Sequence, residues 1–238
     1  MKTSQQTTDE LLRTADIIDP TFWIDRHFYI EDRYDLETGE DLGPGLILLA
    51  DHQKRIIRAA LERNKITDKF RWSTIVYSCP KKSGKTRIAA AVAAWLADVS
   101  GAYSEIYCLA NDGKQSGDRV LAAIKKAVNL SPTLAKWRDT KTRIELPSGS
   151  FIEAVPVDPT GEAGSKPTGT FWSEMWGFRL TAKERLWTEM TIPPMLVGKA
   201  IRWVESYAGF VGESPILEQL YDKGVNEGLS TQTSRICL

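Results

Sequence analysis

The stretch that most constrains the fold is "SCPKKSGKTRIAAAVAAWLAD" at residues 78–98, where a lysine-rich bend joins an apolar strand to an alanine-rich helix. The first N–H groups of a helix have no intrahelical partner and carry a partial positive charge, so a bend of this kind favours an anion. Its residues Gly84, Lys85 and Thr86 form the second half of the phosphate-loop (Walker A) pattern G-x-x-x-x-G-K-[ST], between a strand and a helix as that pattern requires. The sequence therefore predicts a phosphate-binding loop rather than a solvated lysine cluster.

Each residue of this loop has its own expected task. Gly84 lets the backbone approach the phosphates, Lys85 reaches the β- and γ-phosphates, and the Thr86 hydroxyl binds Mg²⁺. Cys79 takes the place of the first glycine of the pattern, which a small residue can do if its φ is negative. The other candidate nucleotide-binding residues of the loop are Lys81, Lys82 and Ser83.

Strand and helix patterns alternate from residue 72 onward. The segments are "STIVYSC", "TRIAAAVAAWLADV", "EIYCLA" and "GKQSGDRVLAAIKKAV", in the order strand, helix, strand, helix. This is the βαβ rhythm of a parallel sheet, and "TRIELPSGSFIEAVPV" then predicts a hairpin. A mobile surface loop is predicted for "VDPTGEAGSKPT" because of its glycines and prolines. The predicted fold class is α/β, with a mostly parallel central sheet flanked by helices.

A second chemical signal stands at the end of the predicted strand "GTFWSEMW". In a phosphate-loop fold, a carboxylate at the end of a neighbouring strand orients the attacking water, and Glu174 is the candidate. Ser173 occupies the position where aspartate is usual; its hydroxyl can hold a metal-bound water but brings no charge. The alternative is that Glu174 is an ordinary exposed residue.

Three further elements follow along the chain. "TAKERLWTEM" is helical, "KAIRWVESYAGF" is a strand with a turn at its end, and "SPILEQLYDKGVNE" is a helix that Ser214 would cap. Upstream, "LILLADHQKRIIRAALERN" predicts a helix with Ile56, Ile57, Ala60 and Leu61 on one face.

Composition limits the classes of function. Lysine plus arginine and aspartate plus glutamate both number 31, whereas a protein that coats nucleic acid is usually basic. The three cysteines and two histidines lack the spacing of a zinc site, and Cys79 and Cys108 are predicted to be buried free thiols. The polar N-terminus does not resemble a signal peptide, and no apolar run reaches the ~20 residues of a membrane span. We expect a soluble, cytoplasmic protein with no membrane partner.

The order of these features, over roughly residues 45–225, resembles the ATPase domain of the large terminase subunit of tailed bacteriophages, the motor that packages DNA. That family commonly has a phosphate loop of the type P-R-K-x-G-K-S/T without the first glycine, which accounts for Cys79. The loop arginine of the family matches Lys81, which keeps the charge but loses the planar guanidinium.

The resemblance also assigns roles outside the loop. "LLADHQKRIIRAAL" is similar to the adenine-contacting motif of the family, with Gln53 as the residue that pairs with the base edge. "RWVESYAGF" is similar to the coupling motif, in which Ser206 would link nucleotide state to motion. A surface glutamine and a turn serine are the respective alternatives.

The resemblance implies an Mg²⁺-dependent ATP hydrolase of the additional-strand P-loop type. Glu174 and Lys85 would be catalytic, and Thr86 and Ser173 would face the metal. Implied partners are double-stranded DNA, a portal protein and a small terminase subunit. The chain, a monomer in solution, would form a homo-oligomeric ring in the host cytoplasm, transiently docked on the procapsid. A neighbouring subunit's arginine would enter the site, with Arg119 and Arg179 among the candidates.

The expected organisation is an N-terminal appendage over residues 1–45, a P-loop ATPase domain over 46–228 and the start of a linker or tail over 229–238. The family's nuclease domain has no room here, so we expect no nuclease activity.

Two other functions fit parts of the sequence. A nucleotide-binding switch or scaffold with little turnover is supported by Ser173, and a helicase-like translocase would need a second core domain. The basic segments "KSGKTR", "SGDRVLAAIKK" and "KWRDTKTR" could contact DNA phosphates or be solvated faces. An aromatic group could stack on bases but is predicted to pack in the core; its members are Phe171, Trp172, Trp176, Phe178 and Trp187.

Overall fold

An eight-stranded sheet runs through the part of the protein that a computed structural model describes, namely residues 4–35, 37–110, 117–155, 165–178, 181–207, 209, 212–226 and 236–237. Its strands are β3 (Thr74–Ser78), β4 (Glu105–Ala110), β5 (Arg138–Asp139), β6 (Arg143–Glu145), β7 (Phe151–Val155), β8 (Pro167–Ser173), β9 (Ile201–Ser206) and β10 (Ile236–Cys237). A separate antiparallel pair is formed by β1 (Tyr29–Ile30) and β2 (Gly45–Leu46).

The strand order of the sheet is β10-β3-β9-β8-β4-β7-β6-β5. Every pairing from β10 to β7 is parallel, and the β7-β6-β5 edge is antiparallel. Strand β9 lies between β3, which leads into the lysine-rich loop, and β8, which ends beside Glu174. An extra strand inserted between those two defines the additional-strand arrangement, so the α/β fold class and the hairpin after residue 142 are confirmed.

The helices are α1 (Ser4–Ile18), α2 (Pro20–His27), α3 (Asp51–Ala60), α4 (Lys85–Val99), α5 (Gly117–Leu130), α6 (Thr181–Glu189) and α7 (Pro215–Tyr221), the last followed by a π-helical turn at Asp222–Asn226. Helix α4 is buried throughout residues 88–97. Its alanines have small side chains that allow close packing on the sheet. At Gly169 of β8, an added Cβ would lie 2.6 Å from Leu96 Cδ2, so this glycine is required by the close approach of α4.

Apolar side chains pack on both faces of the sheet. Phe171 belongs to the cluster under α4, and Trp172 belongs to the cluster on the opposite face. Phe178 is also buried, while Trp176 and Trp187 are partly buried against the second cluster. The prediction that this aromatic group packs in the core is confirmed for its three buried members and only in part for Trp176 and Trp187. Phe171 and Trp172 reach opposite faces because successive side chains of a strand alternate.

Part of the N-terminal segment 1–45 packs into the main core. Trp23 and Phe28 are buried in the same cluster as α4. The Trp95 indole N–H donates to the Asp16 carbonyl oxygen at 2.8 Å, and the Trp23 indole N–H donates to Asp98 Oδ2 at 2.9 Å. At the other end of the chain, β10 pairs with β3, so part of the segment expected to be a linker or tail forms a strand of the sheet.

Several local expectations differ from the structure. Ile56 is 40% exposed, whereas Ile57, Ala60 and Leu61 are buried as expected. Ser214 stands at the N-cap position of α7 with Pro215 after it, as predicted, but its hydroxyl donates to the Trp176 carbonyl oxygen rather than accepting from the helix.

The predictions for the cysteines and for the mobile loop can be compared with the structure only in part. Cys108 is buried and free, but Cys79 is only half-buried. Residues 156–164, which hold most of the predicted mobile loop, lie outside the described residues. Within the described ranges, no helix is both long enough and apolar enough to cross a membrane.

Candidate active site

The loop between β3 and α4 is tightly curled. Gly84 immediately precedes α4 with φ at 81°, a left-handed conformation that glycine adopts without strain, and Lys82 also has a positive φ of 67°. The Ser83 hydroxyl lies 2.8 Å from the Pro80 carbonyl oxygen and 2.9 Å from Cys79 Sγ, which fixes the bend. Cys79 is absent from the described non-glycine residues with positive φ, so a cysteine fits where the pattern has glycine.

Lys85 and Glu174 meet across the carboxyl edge of the sheet. The Lys85 Nζ lies 3.3 Å from Glu174 Oε1, and the lysine side chain is only 7% exposed. Glu174 directly follows β8 in a left-handed conformation with φ at 55°, and its Oε2 accepts a hydrogen bond from the Trp176 indole N–H at 2.6 Å. The two residues to which the sequence assigns catalysis therefore lie in contact.

A buried carboxylate that the sequence analysis did not select lies beside them. Glu205 on β9 is 1% exposed, and its Oε1 accepts hydrogen bonds from the Thr86 hydroxyl, at 3.1 Å, and from the Ser173 hydroxyl. Its Oε2 is buried without a hydrogen-bond partner in the described structure. Burial raises the pKa of Glu205 to about 7, although the hydrogen bonds from Ser173 and Thr86 and the charge of Lys85 act in the opposite direction.

A signal for Glu205 was present in the sequence. It lies inside the apolar strand run "IRWVES", one residue before Ser206, where a charged residue at a central-strand position is unusual. The parallel register pairs Ser173 with Glu205, and this pairing between strands distant in sequence could not be derived from the chain alone.

Ser206 connects two parts of the site. Its main-chain oxygen accepts a hydrogen bond from Cys79 N at 3.2 Å, at the start of the loop. Its hydroxyl donates to the Tyr207 carbonyl oxygen at 2.8 Å and accepts from Trp176 N at 3.3 Å, in the turn after β8. This buried serine thus touches both the loop and the segment that carries Glu174.

Tyr207 is a second site residue that sequence reasoning missed. Its ring centre lies 4.7 Å from Lys81 Nζ and 5.8 Å from Lys85 Nζ, within the range of a cation–π interaction. The ring also packs against Trp176 with centroids 5.2 Å apart. The aromatic pair therefore shields one side of the two lysines.

Gln53 lies beside the loop between β3 and α4, next to Lys82, Ser83 and Gly84. It lines a cavity of about 300 Å³ together with Lys82, Ser83, Gly84 and the aliphatic side chain of Ile47. Gln53 Oε1 accepts a hydrogen bond from Ala50 N at 3.0 Å and so closes the first turn of α3. Its carbonyl oxygen is thus occupied by the helix cap, and its amide nitrogen is the group that can donate to a ligand.

The basic segments carry internal ion pairs. Lys125 lies 2.9 Å from Asp139, and Arg143 lies 2.6 Å from Glu145. Trp137 is buried, which excludes it as a base-stacking platform in this conformation. Of the two arginines named as candidates for action on a neighbouring subunit, Arg119 is exposed on α5 and Arg179 lies outside the described residues.

Neither protein-family models nor curated proteins give a match to this sequence. Among solved structures, the large terminase of bacteriophage HK97 matches with a TM-score of 0.67 at 18% identity, covering 94% of this chain and 43% of that one. The large terminase of a thermophilic bacteriophage matches with a TM-score of 0.55 at 13% identity, over 80% of this chain and 44% of that one.

The fold is that of bacteriophage large terminases. The large terminase ATPase domain of Thermus phage P74-26 also matches, with a TM-score of 0.52 at 15% identity, over 77% of this chain and 73% of that one. This chain therefore matches less than half the length of the HK97 large terminase and of the large terminase from the thermophilic phage.

The oxygen donors at the carboxyl edge fit a hard divalent cation. Across the described ranges, no group of three or more histidine, cysteine or acidic side chains could hold a metal by itself. Mg²⁺, however, is usually bound through one or two protein oxygens together with substrate phosphates and water. The Thr86 and Ser173 hydroxyls and the orphaned Glu205 oxygen match that donor set.

Proposed function

We propose that this protein is an Mg²⁺-dependent ATPase that powers translocation of double-stranded viral DNA, as in the terminase fold it shares. The observation that carries the proposal is the contact between Lys85, at the start of α4, and Glu174, at the end of β8. These are the lysine and the carboxylate that phosphoryl transfer in a P-loop site requires, and they meet at the predicted edge of the sheet.

The loop would hold the triphosphate through charge and backbone groups. The unpaired N–H groups at the start of α4, with the Lys85 ammonium, would bind the phosphate oxygens. An added Cβ at Gly84 would meet no protein atom within 4 Å, so packing leaves open space there for a ligand. Thr86 and Ser173 would supply hydroxyl oxygens toward Mg²⁺, which when bound offsets the negative charge of the phosphates.

Bound nucleotide would compete with the Lys85–Glu174 ion pair. When phosphates compete for the Lys85 ammonium, Glu174 Oε1 becomes available to accept a proton from an attacking water. Trp176 continues to hold Oε2 and so keeps the carboxylate oriented. In this scheme the ammonium shifts from carboxylate to phosphate, which makes the carboxylate active only when nucleotide is present.

The remaining roles follow the same geometry. Ser206 would transmit the state of the loop to the turn after β8, since it is hydrogen-bonded to both. Gln53 would contact the base in the cavity beside the loop, through its amide nitrogen. Lys81 and Lys82 would add positive charge to the phosphate site, and Ser83 would maintain the bend.

The whole-protein setting is proposed from the terminase fold. It comprises a homo-oligomeric ring on the procapsid in the host cytoplasm, a portal protein, a small terminase subunit and double-stranded DNA. An arginine from a neighbouring subunit would stabilise the transition state. DNA contacts would be made by local basic groups and would weaken as salt concentration rises.

Phosphate release by wild-type protein and by Glu174→Gln tests this function. We expect Glu174→Gln to bind Mg²⁺-ATP with an affinity close to that of the wild type and to lose about 10²–10⁴-fold in turnover, as expected when a general base is removed. Lys85→Ala should weaken ATP binding itself. Equal turnover by wild type and Glu174→Gln would exclude the proposed role of Glu174.

The second candidate is a nucleotide-binding switch without turnover, which the serine at position 173 favours. That function predicts ATP binding with phosphate release at background level in both proteins. The same assay therefore distinguishes the two functions.

A further inference from the structure

We propose that Glu205 supplies the carboxylate of the Mg²⁺ site in this protein. The carboxylate would thus come from β9 and not from an aspartate at position 173 of β8. The inference rests on the proposed function, because it concerns the metal that accompanies bound ATP.

The sheet register makes this exchange geometrically possible. Ser173 and Glu205 are direct neighbours in the parallel pairing of β8 with β9. Side chains at paired positions of adjacent strands point to the same face of the sheet. A carboxylate on β9 at this level therefore reaches the space that an aspartate at position 173 would occupy.

Two hydroxyl groups already converge on the Glu205 carboxylate. Thr86, the hydroxyl residue of the phosphate loop, donates to Glu205 Oε1 at 3.1 Å, and the Ser173 hydroxyl contacts the same oxygen. Three oxygen donors from α4, β8 and β9 thus lie within one hydrogen-bonded cluster. This cluster contains the oxygen types that Mg²⁺ prefers, including the carboxylate that the serine at 173 lacks.

The remaining carboxylate oxygen points to a missing partner. Glu205 is 1% exposed, and its Oε2 has no hydrogen-bond partner among the residues that the structure describes. The nearby Lys85 ammonium is paired with Glu174 instead. An ionised carboxylate buried without a paired cation is costly, and proteins retain such groups chiefly where they serve a site. A bound divalent cation would supply the missing positive charge.

A structural role is the competing explanation. Glu205 could merely accept hydrogen bonds that hold β9 to α4 and β8. A glutamine has the same shape and an acceptor oxygen for both hydroxyls, but it carries no negative charge. Glu205→Gln therefore separates the two explanations.

The experiment measures Mn²⁺ binding by electron paramagnetic resonance in the presence of saturating ATP, and ATP affinity separately in EDTA. For Glu205→Gln we expect the Mn²⁺ dissociation constant to rise by about tenfold or more, with ATP affinity in EDTA unchanged. Glu62→Gln is the matched control, since it makes the same chemical change at an exposed glutamate that pairs with Arg71; it should retain wild-type Mn²⁺ affinity. Unchanged Mn²⁺ affinity in Glu205→Gln would overturn the inference.

A rescue variant provides a second, independent test of the inference. In the double variant Ser173→Asp/Glu205→Gln, the carboxylate returns to β8, and Mn²⁺ affinity should recover most of the loss. A folded double variant that binds ATP but keeps the weak Mn²⁺ affinity of Glu205→Gln overturns the inference. If Glu205→Gln does not fold, Glu205→Ala, which also removes the carboxylate, replaces it, and wild-type Mn²⁺ affinity there has the same consequence.

Failure of the proposed function gives a different result. If the site does not bind nucleotide, wild-type protein binds ATP neither with Mn²⁺ nor in EDTA. If the protein is a nucleotide switch, ATP binds but phosphate release stays at background level. Failure of this inference alone leaves wild-type ATP and Mn²⁺ binding intact while Glu205→Gln behaves like wild type.

Discussion

At the residue scale, function and stability oppose each other at Glu205. Its carboxylate is buried among hydroxyl groups, and burial raises its pKa to about 7. A group whose ionised form is disfavoured by the fold destabilises the folded state wherever that form prevails. Under the proposed metal role, Glu205 would contribute to binding at a cost to the stability of the metal-free fold.

We therefore predict that Glu205→Gln stabilises the metal-free protein. At pH 8 in EDTA, its free energy of unfolding should rise by about 1–3 kcal/mol, because the amide carries no charge to desolvate. Urea denaturation followed by circular dichroism measures this change. Glu37→Gln, at an exposed position, is the control and should change stability by less than about 0.5 kcal/mol. A destabilised Glu205→Gln would show that the charged form is favoured by the fold.

At the element scale, the close contact of α4 with β8 positions Lys85 opposite Glu174. This contact depends on small residues, namely the alanines of α4 and Gly169 of β8, where an added Cβ would lie 2.6 Å from Leu96 Cδ2 and 3.1 Å from Ile106 Cδ1. The alanine-rich helix thus serves packing, while its first turn serves the site.

Gly169→Ala should destabilise the protein by about 1–3 kcal/mol, the usual effect of overpacking a core. The loss should be smaller in a Leu96→Ala background, where the nearest methyl group is absent. A double-mutant cycle from urea unfolding curves gives this coupling. Additive effects of the two substitutions would mean that the helix does not press on the strand at this point.

Helix α2 provides a pH-dependent contact. Burial lowers the pKa of His27, an effect that the charge of Asp16 opposes. As pH falls below about 6.5, the unfolded chain therefore binds a proton that the folded chain resists, and the free energy of unfolding decreases. The loss of melting temperature between pH 7.5 and 5.5 should be smaller in His27→Gln than in wild type. His52 is exposed, so His52→Gln is the control and should lose as much melting temperature as wild type between these pH values. If His27→Gln also loses as much as wild type, His27 is not the source of the pH dependence.

The elements show what the sequence could and could not predict. The lysine-rich bend between a strand and a helix, the βαβ order and the strand before Glu174 were predictable, because local periodicity and turn residues determine them. The Ser173–Glu205 pairing was not, since it depends on β9 lying between β3 and β8. The partner of the Ser214 hydroxyl was not predictable for a similar reason, because it is the Trp176 carbonyl oxygen, 38 positions away in sequence.

At the scale of the whole molecule, one chain supplies every group described at the site, and the proposed function adds to them the positive charge of an arginine that stabilises the transition state. The proposed ring would provide this charge from a neighbouring subunit, and Arg119, exposed on α5, is one candidate. An arginine of this kind contributes about 10³-fold or more to turnover in related chemistry.

Turnover per molecule should therefore increase with protein concentration as subunits associate. Phosphate release measured from nanomolar to high micromolar protein checks this, with sedimentation velocity on the same samples to report association. Maximal turnover in dilute, monomeric samples would contradict the need for a neighbouring subunit.

The central claim is that the lysine-rich bend before α4 binds a triphosphate whose terminal phosphate lies between Lys85 and Glu174. A crystal structure with Mg²⁺ and a non-hydrolysable ATP analogue tests it most directly. We expect the Lys85 ammonium within hydrogen-bonding distance of the terminal phosphate, about 3 Å, and the Glu174 carboxylate released from that ammonium. A nucleotide bound away from the loop, or a Lys85–Glu174 ion pair that persists with the analogue in place, would contradict it.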